Sequence, residues 1–505
     1  MSNPTSRQRS PLPNGRGRGW SSFIGYGFGD MSSSMFWKVF SYYLPFFYSN
    51  VFGLTLVDAG VLVLVTRIWD AVSDPMMGVI ADRTQTRWGK YRPYLLFVAP
   101  LFSICGILLF TTPDWAYGAK LVWAYVTYIL MMTVYTAINV PYGAMLGVMT
   151  DDPQEKTVFS SFRMFFAYGG SFIALAAWEP LVGFFKAGGL GGGAAEQTTA
   201  AAWQHAMMVI AAVCFVLFLC TFALTRERLK TVSTVSVGKD FKALLSNRPW
   251  WLLIGAALCF NLFSTVRGAT VAYYFADIIG FDAQLHLPSL GEGQGVGFLF
   301  YAGLFLSVGE VANMVGVAMT VSLAKRFGKK NTFIGVNAAL VVLSVLFFWI
   351  PVSPTGFWLM LLFQILISIL TGIMSPLIWS MYADVSDYAE LEYKTASTGL
   401  IFSSSSMAQK FGGAIGGAAV LWLLSACGYM PRTDEQMLTQ AMITQPVAAL
   451  NCLRYLMSFI PAAVALLAIV VCHFYPLTTE RVAAISDQLK VARQEALMYE
   501  APQGE

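Results

Sequence analysis

The chain has 505 residues, of which 56% are hydrophobic and only 12% charged, with a formal net charge of +4 at pH 7. Soluble globular proteins carry about 25% charged residues, so a soluble fold of this length lacks the charges to cover its surface. The composition excludes a soluble protein and predicts one whose outer faces contact lipid.

Residues 1–22 hold arginines among Ser, Pro and Gly without an apolar h-region after a short basic start, which predicts a disordered cytoplasmic tail. Twelve apolar runs follow, each long enough to cross a bilayer as a helix. The runs are 23–49, 57–82, 93–112, 119–148, 158–184, 203–225, 250–278, 295–323, 332–351, 356–384, 397–425 and 449–475. The predicted fold class is therefore an all-α integral membrane protein with twelve transmembrane helices.

Basic residues concentrate in the loops after the second and eighth runs: Arg83, Arg87, Lys90, Arg92, Lys325, Arg326, Lys329 and Lys330. The opposite set of loops supplies only Lys120, Lys186 and Arg432. Because basic loops stay on the cytoplasmic side, both termini are predicted to be cytoplasmic.

The basic stretch 226–249 is predicted to be a cytoplasmic loop between two halves, 23–225 and 250–475, with a cytoplasmic tail at 476–505. The halves resemble each other, because a basic loop follows the second helix of each. Pro141 in the fourth run and Pro376 in the tenth are also both followed by aspartates. Two pseudo-symmetric six-helix halves with binding at the midplane are the architecture of the major facilitator superfamily.

The second run carries Arg67, Asp70 and Asp74. Insertion of a charged residue at the centre of a membrane helix costs roughly 2.5–3.5 kcal/mol, so charged residues at these positions indicate a functional role. Asp70 and Asp74 are four residues apart and share a face, where they repel unless a cation lies between them or a base opposite. Oxygen-rich sites suit hard cations such as sodium, and a carboxylate pair can equally hold one proton. The structural alternative is a salt bridge between Arg67 and Asp70.

The eleventh run carries Lys410, followed by glycine pairs at 412–413 and 416–417 that allow a neighbouring helix to approach closely. Lys410 needs an acidic partner at this depth, and Asp70 or Asp74 is the natural candidate. The alternative is a lysine that lines a water-filled cavity.

Other polar and aromatic side chains in the runs are candidate substrate ligands: Tyr26, Asp30, Lys38, Tyr135, Asn139, Arg163 and Arg267. The two arginines suit hydroxyl or carboxylate recognition, or alternatively anchor their helices at the interface. Glu310 and Arg454 are interpreted as structural. A cytoplasmic gate is predicted from charged residues at the inner helix ends: Asp82, Arg83, Arg87, Asp384 and Asp387.

The chain lacks a phosphate-binding glycine loop, a Ser/His/Asp set and a metal-ligand cluster, so neither a membrane enzyme nor an ATP-driven pump is expected. No cofactor and no nucleic-acid partner are predicted.

Five segments resemble the glycoside-pentoside-hexuronide:cation symporters, and the resemblance runs from about residue 23 to 475. They are Tyr26–Asp30, Arg67–Pro75, Asp82–Pro93, Asn139–Tyr142 and Ala383–Tyr388. The resemblance implies secondary active import of a sugar or glycoside with sodium or a proton. It also implies a multi-pass protein of the bacterial inner membrane that functions as a monomer.

The resemblance assigns roles to individual residues. Asp70 and Asp74 match the family's cation-site carboxylates, and Lys410 matches the lysine beside them. Thr136 matches a position near that site. Two positions depart from the melibiose carriers of the family. Ser34 stands where those carriers have a sugar-binding aspartate, and Asn139 where they have an aspartate shared by sugar and cation. The departures leave the sugar and the ion open.

The leading hypothesis is thus a sugar or glycoside:cation symporter that works by alternating access. The alternatives are a carrier of a non-sugar solute such as a lysolipid, a transporter-like membrane sensor, and a channel. The short terminal segments disfavour a sensor, and the repeated halves disfavour a channel.

Overall fold

The computed structural model describes residues 19–149, 153–188, 198–227, 245–279, 298–393, 398–432 and 444–500. The main helices in these ranges are α1 Gly19–Phe46, α2 Leu56–Arg83, α3 Arg92–Leu109, α4 Tyr117–Met149, α5 Pro153–Lys186, α6 Thr199–Leu224, α7 Arg248–Tyr274, α8 Phe298–Phe327, α9 Lys329–Phe347, α10 Pro354–Tyr393, α11 Thr398–Ala426, α12 Val447–Met457, α13 Phe459–His473 and α14 Thr479–Glu500. α1 and α7 each continue into a π-helical turn, Phe47–Val51 and Phe275–Ile279.

Among the described residues, ten spans are apolar enough to cross a membrane by length and composition alone, with α12 and α13 together forming one of them. α1 and α2 are the remaining two. Each has 28 residues, which is about 42 Å at the helical rise of 1.5 Å per residue. Polar and charged side chains lower the mean hydropathy of these two helices, but the helices are still long enough to span the membrane. The predicted twelve-helix fold is confirmed.

Most of the predicted tail 1–22 and of the predicted loop 226–249 lies outside the described residues. The predicted tail 476–505 contains α14, a 22-residue helix that packs on α10. Ile485 and Leu489 of α14 are buried. This part of the segment is therefore attached to the helical bundle.

We call α1–α6 the first half and α7–α13 the second half. The helix pairs that join them are α1 with α7, α2 with α11, and α5 with α8. We call the end of the bundle where α1 and α7 finish the distal face, and the opposite end, where α1 begins, the proximal face.

At the proximal face, Glu227 holds the start of α3. Its carboxylate accepts hydrogen bonds from the backbone N–H groups of Lys90, Tyr91 and Arg92, at 2.7, 2.7 and 2.8 Å. The first N–H groups of a helix have no partner within it, so a carboxylate there supplies both acceptors and favourable charge. This contact fixes the loop after α2 within the first half.

Glycines set the close approach of α8 and α10. A Cβ on Gly316 would overlap the carbonyl of Ile369 and lie 3.0 Å from Cα of Gly372. We expect Gly316→Val to destabilise the fold by about 1–3 kcal/mol, because overpacking forces the two backbones apart. The thermal unfolding midpoint in detergent measures this effect. Gly335→Val is the matched control, since a Cβ there meets nothing within 4 Å, and equal midpoints for the two variants would contradict the prediction.

Candidate functional site

Three helices bring four charged or polar side chains together: Asp70 and Asp74 of α2, Thr136 of α4, and Lys410 of α11. Nζ of Lys410 lies 3.1 Å from Oδ2 of Asp70 and forms a second ion pair with Asp74. Oγ1 of Thr136 lies 3.0 Å from Oδ1 of Asp70 and 2.9 Å from Oδ1 of Asp74. We call this set the acid–lysine cluster. The sequence predicted an acidic partner for Lys410, either Asp70 or Asp74, and in the structure Lys410 pairs with both.

The acid–lysine cluster carries a net charge of −1 when all three charged groups are ionised. The single hydroxyl proton of Thr136 can serve only one of the two carboxylate oxygens at a time. Carboxylates held this close favour a cation or a shared proton between them. Carboxylate and hydroxyl oxygens are ligands for hard cations, and the ammonium of Lys410 takes the cation's place here. A cation from solution would compete with Lys410 for the same oxygens.

Glycines of α11 allow the close helix packing that brings Lys410 to the two carboxylates. A Cβ on Gly412 would lie 2.8 Å from Cβ of Asn261, and one on Gly416 would lie 3.0 Å from Cβ of Thr265, both on α7. On the other side, a Cβ on Gly417 would lie 3.2 Å from the Val63 side chain of α2. The close helix approach predicted from these glycines is confirmed, and it brings α11 against α2.

The structural alternative for the second helix, a salt bridge between Arg67 and Asp70, does not occur in the described residues. Arg67 is absent from the ion pairs among the described residues, and its guanidinium lies over the rings of Trp37 and Phe40, at 4.4 and 5.2 Å. The carboxylate of Asp70 forms its ion pair with Lys410 instead. Ser73, which the sequence did not single out, adds a hydroxyl 3.4 Å from Oγ1 of Thr136.

Asn139, predicted for both the cation and the substrate, makes its hydrogen bonds elsewhere. Its Oδ1 accepts from the hydroxyl of Ser33 at 2.7 Å, and its Nδ2 donates to the carbonyl of Tyr135 at 3.1 Å. These contacts tie α4 to α1 and do not join Asn139 to the acid–lysine cluster.

A cavity lies between the two halves and has two chambers of about 220 and 360 Å³. The chambers share four lining residues, so they form one central cavity: Lys38, Tyr42, Asn261 and Ser264. Ligand sites usually occupy about 300–1,000 Å³. The larger chamber includes Lys410 itself in its wall, so the acid–lysine cluster borders the central cavity.

The smaller chamber is crossed by an ion pair between the halves. Nζ of Lys38 on α1 lies 2.5 Å from Oε1 of Glu310 on α8, and Oε2 of Glu310 is buried without a hydrogen-bond partner in the described residues. Glu310, interpreted from the sequence as structural, therefore lies in the cavity wall. Only the fold brings it opposite Lys38, 272 residues away in the chain.

The other predicted substrate residues divide into two groups. Tyr135 and Arg267 line the central cavity, where Tyr135 packs on Trp37 with ring centroids 5.1 Å apart. Arg267 donates to the carbonyl of Met457 at 2.7 Å and to Oε1 of Gln364 at 3.0 Å. It thus supplies a partner to the backbone where the twelfth span is broken.

The second group lies outside the cavity lining. Nε of Arg163 pairs with Oδ2 of Asp30 at 3.0 Å. Tyr26 is fully buried and stacks on Tyr142, with ring centroids 4.8 Å apart. Ser34 is half-buried on α1.

Of the predicted gate residues, Asp384 forms an ion pair within its own half. Nζ of Lys329 pairs with Asp384 at 2.7 Å, both in the second half. Arg83 and Arg87 are exposed, and Asp387 is half-buried. The side chain of Asp82 lies outside the described residues.

The distal face is closed by a network that the sequence did not reveal. The hydroxyl of Tyr273 on α7 lies 2.7 Å from the hydroxyl of Ser49 and donates to the carbonyl of Pro45 at 2.8 Å. The backbone N–H of Arg432 donates to Oδ1 of Asn50 at 2.8 Å. These contacts join the π-helical turn of α1 to the second half.

A buried ion pair supports this network. Nη2 of Arg432 lies 2.8 Å from Oδ1 of Asp277, and both side chains are almost fully buried. The hydroxyl of Tyr429 donates to Oδ2 of Asp277 at 2.7 Å. The pair orders the segment after α11, so that Arg432 reaches Asn50. Contacts between the halves therefore close the distal face in this conformation, whereas the named proximal contacts lie within one half each.

Comparisons with known proteins agree with this geometry. A family model described as MFS/sugar transport protein matches residues 25–479. A putative glycoside/cation symporter of Escherichia coli is 34% identical over 95% of this chain and 96% of its own length. An isoprimeverose transporter of Lactiplantibacillus pentosus is 33% identical over 81% of both chains. A glucuronide carrier protein homolog of Escherichia coli is 29% identical over 94% of this chain and 97% of its own length.

Solved structures resemble the fold at low sequence identity. A nucleoside transporter superposes with a TM-score of 0.64 at 12% identity, over 90% of this chain and all of its own. A bacterial homologue of the human lysosomal transporter Spinster gives 0.63 at 13% identity, over 94% of this chain and 99% of its own. Both likenesses concern the fold alone.

Proposed function

The chain belongs to the MFS/sugar transport protein family, and we propose that it is a symporter that moves a sugar or glycoside together with sodium or a proton. One observation carries the proposal: Lys410 lines the central cavity and also pairs with Asp70 and Asp74. The substrate cavity and the cation site therefore share a side chain. A cation that displaces Lys410 changes the charge and shape of the cavity wall, which couples the two bound species.

Transport proceeds by alternating access, in which one half rocks against the other around the central cavity. The distal face corresponds to the outside and the proximal face to the cytoplasm, because the basic loops lie at the proximal end. Both termini are then cytoplasmic. The membrane is the bacterial inner membrane, and one chain forms the complete pathway, because both halves of the cavity come from the same polypeptide.

The lining of the central cavity favours a sugar over a lysolipid. Lys38, Glu310 and Arg267 present charged groups to it, and Trp37 and Tyr135 present aromatic rings. Sugars offer hydroxyls to the first group and apolar ring faces to the second. An apolar groove around Phe459 and Leu467 lies elsewhere, on α12 and α13. An acyl chain would cover these charged groups with hydrocarbon and offer no hydrogen bond to the free Oε2 of Glu310, which is costly.

Counterflow uptake of a panel of radiolabelled mono- and disaccharides into proteoliposomes, with and without a sodium or pH gradient, tests this function. We expect at least one sugar to exchange, and one of the two gradients to drive its accumulation. Protection of Lys410 from amine labelling by that sugar is the second readout. If no sugar exchanged and none protected Lys410, the proposed function would be wrong.

Glu310 is expected to accept a sugar hydroxyl through its free carboxylate oxygen. Hydrogen bonds to charged groups contribute about 1.5–3 kcal/mol, so Glu310→Gln should raise the KM for the transported sugar roughly tenfold or more. Counterflow kinetics measure this change. Glu480→Gln is the matched control, because Glu480 is exposed on α14. An unchanged KM in Glu310→Gln would show that the Glu310 carboxylate does not bind the sugar and has a structural role only.

A further inference from the structure

A second carboxyl group is buried at the junction of the two halves, away from the acid–lysine cluster. Glu179 lies on α5 with its side chain 9% exposed, and its Oε1 has no hydrogen-bond partner in the described part of the chain. It is also absent from the ion pairs of that part. A buried carboxylate without a counter-charge is strongly disfavoured, so the neutral acid is the form that suits this position.

The surroundings of Glu179 come from both halves. A Cβ on Gly303 of α8 would lie 3.4 Å from Cγ of Glu179 and 3.4 Å from the hydroxyl oxygen of Tyr43 on α1. The hydroxyl of Tyr43 is fully buried and also has no hydrogen-bond partner in the described residues. Glu179 and Tyr43 thus converge on one glycine of the opposite half.

The titratable groups nearest this position on the helices packed against it are Tyr43 of α1, Tyr301 of α8 and His205 of α6, whose ring packs on Phe185. Lys186 lies two turns further along α5. Lys38 of α1 and Glu310 of α8 lie further from it and pair with each other. Pro180, which follows Glu179, cannot donate a hydrogen bond to the carbonyl of Ala176, so α5 is locally weakened beside the acid.

We propose that Glu179 is a proton-binding site that must be protonated for the distal face to close. Gly303 covers the carboxyl group while α5 and α8 are packed together at their distal ends. Separation of the halves at that face removes this cover and brings water to Glu179, where it exchanges its proton with the outside. The loss of the proton leaves a carboxylate that resists reburial, so the distal face stays open until a proton binds. The inference rests on the alternating access of the proposed function.

Infrared difference spectra of the purified protein in lipid nanodiscs, recorded between acidic and alkaline pH, test the protonation directly. We expect the carbonyl stretch of a buried, protonated carboxylic acid at neutral pH in the wild type and in Glu480→Gln. Its loss is expected in both Glu179→Gln and Glu179→Leu, the second variant guarding against a folding defect in the first. A band that persists unchanged in the folded variants overturns the proposal.

Amide hydrogen exchange of residues 46–50 and 273–279 tests the link to closure. We expect exchange there to rise with pH in the wild type, after correction for the intrinsic rate, and to become independent of pH in Glu179→Gln. An unchanged pH dependence in that variant overturns the link. Neither measurement needs a sugar, so a failed search for the transported sugar and a failed proton site remain distinguishable.

Discussion

Asp74→Asn is expected to abolish cation-driven accumulation, so that the ratio of internal to external sugar falls to one while sugar exchange persists. The substitution changes the net charge of the acid–lysine cluster from −1 to zero with Lys410 still in place. The remaining carboxylate, Asp70, is then neutralised by Lys410, and the cluster no longer gains from an external cation. The central cavity keeps its own lining residues, so it still binds sugar.

The accumulation ratio is measured at steady state in proteoliposomes under a sodium gradient and, separately, under a pH gradient. The wild-type response to the two gradients identifies the ion. Asp58→Asn is the matched control, because Asp58 lies on the same helix but at its distal start, paired with Thr55. If Asp74→Asn accumulated sugar as well as the wild type, the cation-coupling site would have to lie elsewhere in the protein.

Arg432→Met is expected to open the distal face. It leaves the carboxylate of Asp277 buried without its guanidinium, and loss of one partner of a buried pair costs about 3–5 kcal/mol. Opening hydrates Asp277 and relieves that cost. Since each 1.4 kcal/mol is a factor of about ten, the ratio of open to closed molecules should rise roughly a hundredfold or more.

The accessibility of a cysteine introduced at Ser49, labelled from the distal side in a background without the native cysteines, measures the opening. The double variant Asp277→Asn with Arg432→Met should restore much of the closed state, because neither group is then a buried charge. Equal labelling of the wild type and Arg432→Met would show that the ion pair does not hold the face closed.

Much of the fold followed from the sequence because the bilayer imposes simple rules. Apolar length predicts a span, and a charge at depth needs a partner. Those two rules were sufficient for the twelve helices and for an acidic partner of Lys410 on the second helix. The glycines of α11 likewise predicted a close helix approach from residue size alone.

The remaining features depend on contacts between distant parts of the chain. Glu310 carried no local sign of its partner, because Lys38 lies on a helix of the other half. The ion pair between Arg432 and Asp277 could not be predicted, because it depends on contact between the end of α7 and the segment after α11. Tyr26 illustrates the converse: an aromatic residue near a motif can pack in the interior, as Tyr26 does against Tyr142, as readily as it can face a ligand.

In the proposed symport cycle, Lys410 also sets the charge on which the membrane potential acts. With a coupling cation bound, the acid–lysine cluster is neutral, and an inside-negative potential exerts no force on it. When the carrier returns empty, the cluster bears a single negative charge, which that potential drives outward, with about 2.3 kcal/mol available per 100 mV for a full crossing. Without the lysine the empty cluster would bear two. The membrane potential therefore accelerates the return of the empty carrier, and Lys410 halves the charge on which it acts.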